Sequence, residues 1–137
     1  MPIPGVSPLE HGSHSIVVGP ADLASALDVD PDNRYPAVVA TSRMIGLLEI
    51  ACAKCLVPLL SPGELSVGVV VDVTHTAATL PGATVTATAR YLGPAGKRYR
   101  FEVVVTDPGG EVGRGHHERA IVNLERLLEG ARRRGPK

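Results

Sequence analysis

The stretch Thr41–Leu60, TSRMIGLLEIACAKCLVPLL, constrains this chain more than any other. It is apolar almost all the way round, is too short to cross a bilayer comfortably, and carries one acid, Glu49. On a helix of ~3.6 residues per turn, Arg43 and Lys54 lie roughly 120–140° around the axis from Glu49. Its face is shared instead by Ile45, Gly46, Cys52 and Ala53, so no base three or four residues away can pair with it. A helix apolar on all sides is expected to be buried. A buried carboxylate without a local partner is costly unless the tertiary fold satisfies it.

The rest of the chain has to supply that setting. Residues 1–13 are rich in Pro and Gly and are expected to form a loosely held arm. His14–Val18 reads as a short strand, Ala21–Leu27 as a short helix opened by Pro20, and Asp28–Arg34 as a polar turn. Tyr35-Pro36 leads into Ala37–Ala40, after which Thr41 or Ser42 is the natural N-cap of the long helix. Pro58 loosens the last helical turn and Ser61-Pro62-Gly63 ends it. The apolar period then changes to two. Strands are expected over Leu65–Thr79, Ala83–Tyr91, Lys97–Thr106 and Val112–Leu124, with turns at Pro81-Gly82, Gly93–Gly96 and Pro108–Gly110. Four strands on short connections predict an antiparallel meander. The tail from Glu125 to Lys137 starts helical and frays.

One apolar helix followed by an antiparallel sheet makes an α+β domain. The helix is the only long apolar element available to cover the sheet, so the expected architecture is the hot-dog fold, an antiparallel β-sheet wrapped around one long central helix. With 137 residues, the chain reads as one domain, 1–137. A sheet with one helix leaves edges open, and edges are commonly closed by a second copy, so a homodimer is expected.

Composition narrows the function. Fourteen basic and fourteen acidic residues give zero formal charge, which offers no bulk attraction to nucleic acid or membrane. The four aromatics, Tyr35, Tyr91, Tyr99 and Phe101, are too few to build base-stacking platforms. The N-terminus shows neither a basic n-region nor an apolar h-region, so a cytoplasmic protein is expected. Cys52 and Cys55 fit a reducing compartment as buried thiols. Their CxxC spacing falls in mid-helix, whereas redox pairs sit at a helix N-terminus.

Glu49 then has two readings: a structural acid satisfied by a tertiary hydrogen bond or an arginine from the sheet, or a general base or nucleophile whose pKa burial raises. Strand parity places His75 with Val69, Val71 and Val73 on the face toward the helix, and Gly68, Val70, Asp72 and Thr74 on the other. An acid and a histidine converging in a dry cleft form an acid/base pair; a core histidine alone is more often structural. Thr41 is an N-cap, a hydroxyl at the positive helix end where an anion would be stabilised, or both. Arg119 is a solvated strand arginine or an anion contact. His116 and His117 are adjacent on a strand, so they point apart and cannot chelate together. The triplet Arg132–Arg134 reads as a solvated terminal charge run.

Three clusters resemble the fluoroacetyl-CoA thioesterase group of the hot-dog superfamily: Ala40-Thr41 with Met44–Glu49 and Ala51-Cys52, Val73–Thr79 with Pro81-Gly82, and His117–Ala120. The resemblance spans roughly Tyr35–Leu124. It implies hydrolysis of a short-chain acyl-CoA thioester by a Thr41/Glu49/His75 constellation, substrate contacts from Gly68 and Arg119, a dimer, and no metal or cofactor beyond the CoA carried by the substrate. In that group two phenylalanines sit in a lid before the threonine. Here Tyr35 and Asp32 fall at those places, which makes the lid more polar, with Tyr35 its one aromatic substrate contact. The resemblance therefore carries the thioesterase chemistry further than it carries a preference for the fluorinated acyl group. Alternatives with the same residues are a hot-dog hydratase or dehydratase, and a non-catalytic acyl-CoA-binding module.

Overall fold

The computed structural model describes residues 5–27 and 30–136. The first four residues of the arm, Asp28 and Val29 of the polar turn, and Lys137 of the tail lie outside the described residues. Strand β1 (His11–Val17) is followed by two 3-10 turns, Pro20–Asp22 and Ala24–Leu27, and by helix α1 (Thr41–Leu56), which runs out through a third such turn, Val57–Leu59. Then come β2 (Glu64–His75), β3 (Thr84–Ala95), β4 (Arg98–Asp107), β5 (Gly110–Asn123) and a C-terminal helix α2 (Leu124–Arg134). The five strands form one antiparallel sheet curled around α1, which is the expected hot-dog arrangement.

The sheet order is β1-β3-β4-β5-β2. Only β3, β4 and β5 form the expected meander. The segment after β2 crosses the sheet, so β2 pairs with β5 and becomes an edge. The other edge is β1, which begins at His11, earlier than its apolar residues suggest. Gly12 explains why: a Cβ there would collide with the Ala51 carbonyl and lie 2.9 Å from Cys55 Sγ, so glycine lets the strand cross α1 in close contact. The expected Ala21–Leu27 helix is two 3-10 turns, because Leu23 leaves the helical path to bridge Val39.

The core is aliphatic, as composition requires. Met44, Leu47, Leu48, Ala51, Cys52, Cys55 and Leu56 of α1 are fully buried against Val85, Ala87 and Ala89 of β3 and Phe101, Val103 and Val105 of β4. Each buried Leu or Val contributes ~1.5–3 kcal/mol over an exposed one. The helix is not buried on all sides, however. Ile45, Gly46, Glu49, Ile50 and Ala53 are only half-covered, and Val69 and Val71 on the β2 edge are each 42% exposed. An apolar helix face and an apolar strand edge thus stand open side by side.

Candidate active site

The start of α1 carries the first group of candidate residues. Its N-cap is Ala40, in extended conformation, and no side chain caps the helix. Thr41 is therefore the first helical residue rather than the cap. Its hydroxyl is 2.8 Å from His75 Nδ1, at the last position of β2. Met44 N–H donates to Ala40 O at 3.0 Å, which leaves the N–H groups of Thr41, Ser42 and Arg43 without an acceptor inside the helix. Around Thr41 and His75 lies a pocket of about 570 Å³ whose walls include Leu27, Tyr35, Val38 and Ala77. Tyr35 is 43% exposed at its mouth.

The segment before the helix is pinned over this pocket by Asp22. Ala40 N–H donates to the Asp22 carbonyl at 2.9 Å, and Arg43 Nε donates to Asp22 Oδ1 at 2.7 Å. Gly19 N–H donates to the other carboxylate oxygen at 2.8 Å. The Gly19 hydrogen bond, then that of Arg43, hold the Asp22 carboxyl below its ordinary pKa.

A second group forms around Glu49, two turns along α1. Arg119 of β5, only 6% exposed, donates from Nη1 to Glu49 Oε2 at 3.0 Å. It also donates from Nε to Ser66 Oγ at 3.0 Å and from Nη2 to the Ser66 carbonyl at 2.8 Å. His117, fully buried, stands 3.1 Å from the same Nη1 through Nε2, and its Nδ1 is 2.7 Å from the Val70 carbonyl. A carbonyl only accepts, so Nδ1 carries the proton and Nε2 accepts from Arg119. Burial above all holds the pKa of His117 below its ordinary value, with the Arg119 charge acting in the same direction. His117 is thus a neutral ring that braces the guanidinium.

Gly68 makes room for this group. A Cβ at Gly68 would sit 2.6 Å from Glu49 Oε2 and 3.2 Å from His117 Cε1. The β2–β5 register slips between Gly68 and Val70, and this bulge reverses the strand's parity. Simple alternation put Gly68 on the face opposite His75. In the structure Gly68 faces Glu49 and His75 faces Thr41, so both look toward the helix.

The six site residues read from the sequence therefore fall into two sets: Tyr35, Thr41 and His75 around the pocket, and Glu49, Gly68 and Arg119 around the ion pair. The expected convergence of Glu49 and His75 does not occur within one chain. Eight helical residues separate Thr41 from Glu49, a rise of ~12 Å, and seven strand residues separate Gly68 from His75, roughly 23 Å. Nor is Glu49 the buried, isolated acid its helix suggested: its side chain is 37% exposed and ion-paired. Arg119 is a buried partner rather than a solvated arginine. His117 was missed as part of a site. Its signal was present in the alternation of β5, where His117, Arg119 and Ile121 share one face.

The cysteines take no part. Burial raises both thiol pKa values, that of Cys52 strongly, so neither is a reactive thiolate.

Comparison with known proteins gives the family and the fold. Residues 18–125 match the family model described as fluoroacetyl-CoA-specific thioesterase. A fluoroacetyl-CoA thioesterase from Streptantibioticus cattleyicolor is 40% identical over 129 residues, 93% of each chain. The solved structure of the fluoroacetyl-CoA thioesterase FlK superposes with a TM-score of 0.89 at 40% identity, covering 96% of this chain and 99% of that one. A point mutant of FlK in complex with acetyl-CoA superposes with a TM-score of 0.88 at 39% identity, covering 96% and 100%.

Proposed function

The chain belongs to the fluoroacetyl-CoA-specific thioesterase family and is a thioester hydrolase, and from that premise we propose that it cleaves short-chain acyl-CoA at a site shared between two copies. The observation that carries this reading is the separation of the two residue sets in one chain. Each set has a free valence. Glu49 Oε1 and His75 Nε2 have no hydrogen-bond partner among the described residues. The β2 edge that carries Val69 and Val71 is open. Antiparallel pairing of two such edges, centred near Val71–Asp72, sets His75 opposite the partner's Gly68. The partner's Glu49 and Arg119 then face Thr41 and His75.

In the completed site Glu49 acts as general base. It takes a proton from water as the oxygen adds to the thioester carbonyl. The Thr41 hydroxyl and the N–H groups of the helix start receive the developing oxyanion. The C–S bond breaks, and His75 passes the proton on to the leaving thiolate, giving free acid and CoA. Direct attack by Glu49 would give the same products through a mixed anhydride. Arg119 fixes one carboxylate oxygen and so aims the other at the substrate, and Gly68 leaves the acyl group room beside it. Tyr35 closes the pocket mouth. No metal or further cofactor is assigned to any step, since water, carboxylate and imidazole balance the reaction. A chain acting this way works on a cytoplasmic acyl-CoA pool.

Free-thiol release from acetyl-, fluoroacetyl-, propionyl- and butyryl-CoA tests the assignment. Turnover is expected, with Glu49→Gln lowering kcat by ~10²–10⁴. Glutamine still accepts from Arg119, so the fold should be retained. A Glu49→Gln protein with near-native turnover would sink the mechanism. Conversion of the acyl group without thiol release would mean a hydratase instead.

A further inference from the structure

The reaction pocket raises a question of charge. Among the described residues, none in its walls is Lys or Arg, yet a CoA thioester ends in a 3′-phospho-ADP carrying several negative charges. The cations that meet this end must lie elsewhere.

A second cavity, at about 1010 Å³ larger than the reaction pocket, lies at the other end of the sheet, against the first turn of α2. Its apolar walls include Leu59, Ile121, Tyr91 and Tyr99, and the two tyrosine rings lie 6.3 Å apart between centroids. Lys97 and Arg126 also line it. Neither side chain has an ion-pair or hydrogen-bond partner among the described residues, whereas Arg43, Arg90, Arg98, Arg114, Arg119 and Arg132 are all paired. Two acids share the wall. Glu64 is engaged by the Ser61 N–H at 2.9 Å, and Glu10 lies just before β1. From Arg126 and Leu127, α2 continues the same stripe at i+7 to Arg133 and Arg134, which are also unpaired among the described residues.

The edge pairing proposed above fixes where this cavity lies relative to the chemistry. If His75 is opposite the partner's Gly68, then Glu64, at the start of β2 and in the cavity wall, lies four residues, ~13 Å, along the strand from the partner's His75. Thr76, Ala77 and Ala78 line the partner's reaction pocket. The cavity of one chain is therefore the neighbour of the reaction pocket of the other. We propose that this cavity, with Lys97, Arg126 and the α2 arginines, takes the 3′-phospho-ADP end of the CoA whose thioester is cleaved in the partner's pocket. The tyrosine walls offer a surface to the adenine and the cations meet the phosphates. The inference rests on the dimeric thioesterase reading.

The test compares an acyl-CoA with the same acyl group on pantetheine, which lacks the nucleotide. The native enzyme should prefer the CoA ester in kcat/KM by at least about tenfold, the scale of one or two charge-assisted phosphate contacts. In a Lys97→Ala/Arg126→Ala protein most of that preference should vanish, through KM rather than kcat. A native enzyme without the preference, or a double variant that keeps it, would overturn the assignment. If the native protein hydrolyses neither ester, the thioesterase reading has failed. Calorimetric binding of adenosine 3′,5′-bisphosphate then decides the nucleotide site by itself: binding that the double variant loses supports it, and absent or unchanged binding overturns it.

Discussion

The start and the middle of α1 are built in opposite ways. At Glu49 every polar group of the surrounding cluster is tied: Arg119 spends its guanidinium on Glu49, Ser66 and His117, and His117 is fixed in turn by the Val70 carbonyl. At Thr41 a single hydrogen bond to His75 spans a pocket open to solvent, under a segment held by Asp22. One region is a rigid mount for a single carboxylate oxygen and the other is a receptacle. Catalysis by a positioned base needs both, since the base must be aimed and the substrate must enter. The fold supplies them ~12 Å apart on one helix, and in the proposed dimer the open β2 edge joins them.

The largest effect that can break this comparison comes from mixing two dead enzymes. Glu49→Gln and His75→Ala proteins should each be nearly inactive. If the site is shared, a mixed dimer holds one intact set, and random reassociation restores about a quarter of native turnover. If each site lies within one chain, every chain in the mixture carries a defect and no activity returns. Thiol release after joint unfolding and refolding reads the difference directly.

Gly68 sharpens the account of the rigid mount. Gly68→Ala places a methyl 2.6 Å from Glu49 Oε2, so the carboxylate must leave Arg119 or the strand must move. The expected result is a fall in kcat of roughly tenfold to a hundredfold, scaled to misplacement of a positioned group. KM should change little and the melting temperature only modestly. Native kcat in Gly68→Ala would show that the placement of Glu49 is not critical.

Particular residues show how far the sequence reaches. The 3.6-residue period of Thr41–Leu56 and the alternation of Tyr99, Phe101, Val103 and Val105 made the helix and β4 legible, because both report burial on one side. Glu49 stood out because nothing on its own helix could pair with it. Strand order was not legible: Pro81-Gly82 reads as a short turn joining neighbouring strands, yet residues 76–83 cross the sheet and β2 and β3 do not pair. The bulge at Val69 was hidden for a similar reason, since a slip in register leaves no mark in an all-valine run and reverses every face before it. Thr41 was misread as a cap because Ala40 carries no hydroxyl, while the purpose of the Thr41 hydroxyl lies on a strand 34 residues away. His117 looked idle because a histidine's partners, here a carbonyl and a guanidinium, are set by tertiary contact alone.

The smallest effect concerns that histidine. In the folded chain its pKa lies below the ordinary 6.5, chiefly through burial. The unfolded chain therefore takes up a proton at a pH where the folded chain does not. As pH falls below about 6.5, the unfolded state binds more protons and stability declines, continuing down to the folded-state pKa. Each unit of depression is worth ~1.4 kcal/mol at most, so the slope is shallow. Denaturant titrations between pH 7 and pH 5 should show it, and His117→Gln, which keeps an acceptor for Arg119 but does not titrate, should flatten it. An unchanged slope in that variant would mean that His117 does not hold a depressed pKa. The rigidity of the Glu49 mount would then rest on Ser66 and the Arg119–Glu49 pair, without the neutral ring.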